Sequence, residues 1–308
     1  MDRPGEPTGP AMPWTAIEEP PPDELLVVVG PTASGKTELA LRLAERLGGE
    51  IVGADSVQIY ESFDIGSGKP TAEELARAPH HLIGVADPLV PVEAQRFTEM
   101  AEAAIADIRA RGKVPIVCGG TFLWVKALVW GLAPMPGADP ALRAEHARIA
   151  ETEGRAALHA RLAAVDPESA ARLAPNDLVR VSRALEVLQL SGKTMSAWQK
   201  EHGFRETRHR ARLVGVQRTP EELDARIARR TEAWLAGGWI EEVRGLVARG
   251  YRGARAMGSV GYREVLAYVE GALPEEELPA AVVRSTRVFV RRQRTWLRDL
   301  PVRHVTLP

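Results

Sequence analysis

A chain of 308 residues, 45% hydrophobic and 26% charged, can bury a full core, and that composition excludes a disordered or membrane-resident polypeptide. No apolar run approaches the roughly 20 residues that a bilayer requires. The net charge of -1 is unevenly spread: residues 1–207 carry 21 Lys+Arg against 29 Asp+Glu, whereas residues 208–308 carry 19 against 12, and all 19 are arginine.

Residues 1–23 are rich in proline and acids and lack an apolar segment, so a flexible tail is expected and a secretory signal is not. "LLVVVG" (25–30) reads as a strand before a glycine-rich loop, and "KTELALRLAERLG" (36–48) as a helix that stops at Gly48 and Gly49. "EIVGAD" (50–55) reads as a second strand. An amphipathic helix over 98–112 then leads into the buried strand "KVPIVCGG" (113–120). Residues 138–207 are almost wholly helical in pattern, punctuated at Gly154, Pro167, Pro175 and Gly192, with no strand candidate. "ARLVGVQR" (211–218) returns to a strand, Thr219-Pro220 starts a helix, and the remainder reads mostly as helix. The pattern predicts an α/β fold: a P-loop NTPase-like parallel sheet core flanked by helices, formed by 24–137 and 208–308, with an all-helical insertion domain over 138–207. The single cysteine, Cys118, excludes an intramolecular disulfide and points to a reducing cytoplasm.

Gly30-Pro31-Thr32-Ala33-Ser34-Gly35-Lys36-Thr37 is G-x-x-x-x-G-K-T between a strand and a helix, the context that this motif requires. Its backbone N–H groups and the helix dipole suit a phosphate, Lys36 suits outer phosphate oxygens, and the Thr37 hydroxyl suits Mg²⁺. An ordinary nucleotide triphosphatase adds an apolar strand ending in a Mg²⁺-binding Asp. Here "VPIVCGG" ends in Gly-Gly-Thr, and the strand that does end in Asp is the second one, at Asp55. At a strand C-terminus Asp55 fits three roles: base, metal ligand or helix cap. Arg284 to Arg298 holds six Arg and no acid, which suits either nucleic-acid phosphates or a solvated helix face. His80 and His81 lack a third ligand and make a poor metal site. On these residues alone, a small-molecule P-loop kinase and RNA binding without catalysis both remain open.

"GPTASGKTELA", "ADSVQIY", "DIGSGKP", "APHHLIGVADP", "GGTFLWVKAL", "NDLVRVSRALEV", "SVGYREV" and "RRQRTWLR" occur in that order between about Leu25 and Arg298. In these motifs the chain resembles the bacterial tRNA dimethylallyltransferases. Two departures are a Trp at 124 where that family usually has Tyr, and Ser67 where Thr is common. The resemblance implies dimethylallyl diphosphate as co-substrate, Mg²⁺ as cofactor, and the anticodon stem-loop of tRNA as partner, handled by a monomer. The expected reaction places a dimethylallyl group on N6 of the adenosine 3′ of the anticodon, in tRNAs that read codons beginning with U. It implies Asp55 as general base, with Thr121 and Arg226 beside it, and the loop Gly30–Thr37 as diphosphate cradle. It further implies tRNA contacts from Asp55, Ser56, Val57 and Gln58, from Arg143, and from Val179, Arg180, Val181, Ser182 and Arg183. Gly258, Ser259, Val260, Gly261, Tyr262 and Arg263 join them, as do Arg291, Arg292, Gln293, Arg294, Thr295, Trp296, Leu297 and Arg298. By their residue types alone, Trp296 and Tyr262 fit packing as well as they fit RNA.

Overall fold

The computed structural model describes residues 11–204, 207–298 and 300–307. They divide into two compact units, one running up to Val129 and resuming at His209, the other Trp130–Arg208. The first holds seven strands: β1 (Met12–Pro13), β2 (Glu24–Val29), β3 (Gly49–Gly53), β4 (His80–His81), β5 (Val114–Gly119), β6 (Arg210–Val216) and β7 (Val302–Thr306). All pair in parallel, in the order β1-β7-β6-β2-β5-β3-β4. Leu25 to Val29 have no exposed surface, as a central parallel strand covered on both faces requires.

Helices α1 (Lys36–Leu47), α2 (Ala72–Arg77), α3 (Ala94–Ala110) and α4 (Phe122–Trp130) follow β2, β3, β4 and β5. The second unit is built from α5 (Pro140–Thr152), α6 (Arg155–Val165), α7 (Pro167–Arg172), α8 (Leu178–Ser191) and α9 (Met195–His202). The chain then returns through α10 (Pro220–Ala236), α11 (Trp239–Ala248), α12 (Tyr262–Val269) and α13 (Leu278–Arg298). α1 buries Leu39, Ala40, Leu41 and Leu43 against Leu26, Val28, Ile51, Ile116 and Val214 of the sheet, and ends where Gly48 takes a left-handed φ of 61°. In the helical unit Asp139, Asp166, Asp177 and Thr194 each accept an N–H of the helix they start, and Ile149, Leu158, Leu162, Val181 and Leu185 form its core.

Two boundaries differ from the sequence pattern. Residues 1–10 of the expected tail lie outside the described residues, but from Met12 onward the segment is structured: β1 pairs with β7, Ile17 is buried, and Arg46 donates to the carbonyls of Thr15 and Ile17. Proline content disguised a segment stitched down by one arginine. The helical unit also begins at Trp130 rather than 138. The turns before α5 belong to it because Arg183 donates to Pro136 O at 2.6 Å and the Asp139 N–H donates to Glu186 Oε1 at 2.7 Å.

Candidate active site

β2 turns through residues 30–35 into α1, and the turn is tight. A Cβ at Gly30 would lie 2.6 Å from Ser34 Oγ, and Gly35 has φ +97°. Ala33 carries φ +65°, a left-handed conformation that costs a non-glycine residue energy and has to be held. Distant side chains hold it. Arg226 Nε donates to Ala33 O at 2.7 Å, Arg230 Nη2 to Thr32 Oγ1 at 2.6 Å and Arg218 Nε to Ser34 O at 3.4 Å. Gln293 accepts the Thr32 N–H at 2.9 Å and donates to Gly120 O at 3.0 Å, joining the loop to the end of β5. Lys36 and Thr37 then open α1, whose first N–H groups have no intrahelical acceptor. Burial depresses the Lys36 pKa, and the Asp55 charge opposes that shift.

The ends of β3 and β5 meet beside this loop. A Cβ at Gly119 would fall 2.0 Å from Ala54 O, so only glycine permits the approach. Thr121 Oγ1 accepts the Ser56 N–H at 2.9 Å, which fixes the turn that carries Asp55. Asp55 Oδ1 accepts the N–H groups of Val57 (3.0 Å) and Gln58 (3.3 Å), while Oδ2 has no protein partner among the described residues. One carboxylate oxygen thus caps the turn and the other is available to a ligand. Gln58 Nε2 reaches the carbonyls of Ser67 and Gly68 at 3.0 and 2.8 Å, tying down the "DIGSGKP" turn.

These groups share one cleft of about 830 Å³, lined by Thr32, Ala33, Gly35, Lys36 and Thr37, by Asp55 to Gln58 and by Thr121. Gly258 to Gly261, Arg263, Arg292 and Gln293 line it as well, as do Arg226, Arg229, Arg230, Trp234 and Trp239. Its six cations, Lys36, Arg226, Arg229, Arg230, Arg263 and Arg292, outnumber its three acids, Glu38, Asp55 and Glu74, and Glu38 already pairs with Arg42 and Arg77. Burial and the neighbouring Arg226 bring the Arg230 pKa down to about 10, which leaves it a cation at neutral pH. Burial, followed by Arg218 and Arg229, lowers that of Arg226. The charge of such a cleft suits a polyanion, with a carboxylate set beside it.

Several residues expected at an RNA surface lie elsewhere. Tyr262 is fully buried and donates its hydroxyl to Glu242 Oε1 at 2.6 Å, and Gln293, at 4% exposure, braces the loop from the cleft wall. In the helical unit Val181 sits in the core at 1% exposure, and Ser182 bonds His146 Nδ1 at 2.9 Å. Arg143 and Arg183 both pair with the fully buried Glu186, at 2.9 and 2.5 Å. Burial raises the Glu186 pKa, but the hydrogen bonds from these arginines outweigh it and hold the carboxyl below its ordinary value. Val179 and Arg180 are exposed. On α13, Arg291, Arg292, Arg294, Thr295, Trp296 and Arg298 are exposed and Leu297 is half-buried; Lys126 Nζ lies 4.9 Å from the Trp296 ring. Trp124 stacks on Phe97 at 4.4 Å and is absent from the cleft wall. No metal-ligating cluster occurs among the described residues, and His81 instead bonds Glu50 at 2.7 Å.

Sequence reasoning missed the bracing roles of Arg230 and Gln293 and the aromatic pair Trp234 and Trp239. The one available signal was "RIARRTEAW", which repeats Arg226, Arg230 and Trp234 at four-residue spacing on a helix.

A parallel α/β sheet with a G-x-x-x-x-G-K-T loop and a carboxylate at the next strand end defines a P-loop-like fold built for a phosphate-bearing ligand. Residues 58–300 match the model of the family described as IPP transferase, and residues 23–83 that of isopentenyl transferase. The chain belongs to the IPP transferase family. It is 69% identical over 295 residues to the tRNA dimethylallyltransferase of Sorangium cellulosum (strain So ce56), covering 96% of this chain and 94% of that protein. The tRNA dimethylallyltransferase of Geobacter sulfurreducens is 48% identical, with 90% of each chain covered. Among solved structures, the full-length tRNA isopentenylpyrophosphate transferase of Bacillus halodurans matches with a TM-score of 0.68 at 34% identity, over 92% of this chain and 90% of that one. A eukaryotic dimethylallyltransferase acting on tRNA matches with a TM-score of 0.75 at 25% identity, over 92% and 74%.

Proposed function

We propose that this chain transfers the dimethylallyl group of dimethylallyl diphosphate to tRNA, with Asp55 and the braced loop as its catalytic parts. The acceptor is N6 of the adenosine 3′ of the anticodon, in tRNAs that read codons beginning with U. The observation that carries the reading is one cleft joining a cationic phosphate cradle to a carboxylate with a free oxygen. As the allylic C–O bond breaks, its electron pair goes to diphosphate. The loop amides, Lys36, Arg226 and Arg230 face that growing negative charge, so they favour the transition state over the ground state. The N6 lone pair forms the new C–N bond, and Asp55 takes the N6 proton, helped by being pinned through Oδ1 with Oδ2 left for the substrate. Thr121 holds this turn in place through Ser56.

Mg²⁺ fits the donors present. The Thr37 hydroxyl is a hard oxygen donor on the cleft, and with no cluster of three acidic or His/Cys ligands among the described residues, the ion would complete its shell from phosphate and water. Bound there, it supplies charge neutralisation of the diphosphate. Among the exposed members of the expected RNA surface, Val179, Arg180, Arg263, Arg291, Arg292, Arg294, Thr295, Trp296 and Arg298 are the contacts we assign to the anticodon stem-loop, whose target base has to leave its stack. A monomer in a reducing cytoplasm is the setting we assign, in keeping with a lone Cys118 whose pKa burial raises to about 11.

Purified protein, Mg²⁺, dimethylallyl diphosphate and unmodified tRNA, followed by nucleoside mass spectrometry, tests the reaction. One added dimethylallyl group on that adenosine is expected. ATP consumption with a small acceptor and no RNA product overturns it. Asp55→Ala is expected to lower kcat by about 10² to 10⁴ with tRNA affinity nearly unchanged; equal rates for variant and wild type overturn the base assignment.

A further inference from the structure

Arg226, Arg230 and Trp234 repeat every four residues on α10, so they share a face and step about 6 Å along it. The first two reach the phosphate loop, at Ala33 O and Thr32 Oγ1. The Arg230 guanidinium also lies over the Trp234 ring, 4.4 Å from its centroid. Within one helical turn the face therefore passes from cationic to apolar. Its polarity matches a ligand with a diphosphate head and a short hydrocarbon tail.

Past Trp234 the cleft is walled. Trp239 meets Trp234 edge to face at 5.5 Å and 83°, is itself 1% exposed, and is backed by Tyr262 at 5.6 Å and 85°. The glycines of the adjoining turns lie flat on the indoles. An added Cβ would come 2.0 Å from Trp239 Nε1 at Gly66, 3.0 Å from Trp234 Cζ2 at Gly68 and 2.4 Å from Trp239 Cη2 at Gly261. With backbone packed this closely, Trp239 has no space to retreat, and the half-buried Trp234 is backed by it and by Gly68. The "DIGSGKP" and "GYRE" glycines thereby acquire a physical reason.

We propose that Trp234, backed by Trp239 and the Gly66–Gly68 turn, is the end wall of the prenyl subsite and limits the donor to one five-carbon unit. The inference rests on the proposed reaction. A tail whose diphosphate is held between the loop and Arg230 ends within about one 6 Å step, at the level of Trp234. A second isoprene unit has to enter the volume that the indole fills.

The test compares dimethylallyl and geranyl diphosphate as donors to the same unmodified tRNA, scoring kcat/KM for each by nucleoside mass spectrometry. Wild type is expected to favour dimethylallyl at least a hundredfold. In Trp234→Ala the geranyl-to-dimethylallyl ratio is expected to rise at least tenfold. An unchanged ratio, whether both rates fall together or only KM for tRNA rises, overturns the wall and assigns Trp234 to packing or to the RNA. If Trp234→Ala fails to fold by circular dichroism, Trp234→Leu carries the same comparison. Wild type that transfers neither donor sinks the underlying reaction, a result separate from an unchanged ratio in an active enzyme.

Discussion

Arg230 donates to the Thr32 hydroxyl, covers Trp234 and stays charged among other cations, so removing it affects the loop, the wall and the field together. A charge-assisted hydrogen bond in such a place is worth about 1.5–3 kcal/mol. Arg230→Ala is therefore expected to raise KM for dimethylallyl diphosphate about 10- to 100-fold in steady-state assays. Arg230→Lys should recover part of this, because lysine keeps the charge and loses the planar fork. A second residue-scale prediction concerns Glu50, 5% exposed in β3 and gripped by Arg111 and His81. The hydrogen bonds from Arg111, aided by His81 and opposed by burial, lower its pKa from 4.5 to about 2. Because the folded value lies below the unfolded one, its stabilisation is complete above about pH 4.5 and disappears as the pH falls towards 2. Glu50→Gln is expected to cost about 2 kcal/mol at pH 7, after discounting for the exposed Arg111, and the gap to wild type should close in acid denaturant titrations.

At the scale of elements, α10 carries the cations of the cleft and starts with a full capping box. Thr219 accepts the Glu222 N–H, Glu222 accepts the Thr219 N–H, and Pro220 occupies the first turn. Thr219→Ala is expected to cost about 1 kcal/mol and lower the thermal midpoint by about 2–4 °C, read by calorimetry. These caps were legible in the sequence, as were β2, β3, β5 and β6, because each is a local pattern of apolar run, glycine stop or Thr-Pro start. β1 and β4 were not, being two residues long and defined only by their partners. β7 escaped because "VRHVT" alternates weakly and follows a helix rich in arginine. In the site, the loop and Asp55 were readable for the same local reason. Gln293 was readable only as part of a motif, since its bond to Thr32 spans 261 positions and no periodicity encodes such a distance.

For the whole molecule, the basic last third resolves into a two-faced α13. Val282, Thr286, Phe289 and Gln293 line the cleft, whereas Arg284, Arg287, Arg291, Arg294 and Arg298 recur at three- and four-residue spacing on the other side, over about 21 Å. Sequence counted these charges correctly but not their division between faces, which depends on what packs against the helix. Each RNA phosphate contact contributes about 0.7 to the slope of log affinity against log salt. Arg291→Ala with Arg294→Ala is expected to reduce that slope by about 1.5 in filter-binding titrations across salt, with kcat at saturating tRNA retained. No helix among the described residues is long and apolar enough to cross a membrane.

The braces of the phosphate loop come from far along the chain: Arg226 lies 193 positions after Ala33, and Arg230 lies 198 after Thr32. On a ribosome the loop emerges long before them, and β2 waits for β6 to cover its second edge. A nascent chain, or a fragment ending before Arg210, thus carries the motif without its shape and leaves an apolar strand edge open to other chains. Capacity to hold a diphosphate arrives only once nearly all of the polypeptide has been made, so a translation pause within the last third prolongs both inactivity and the danger of aggregation.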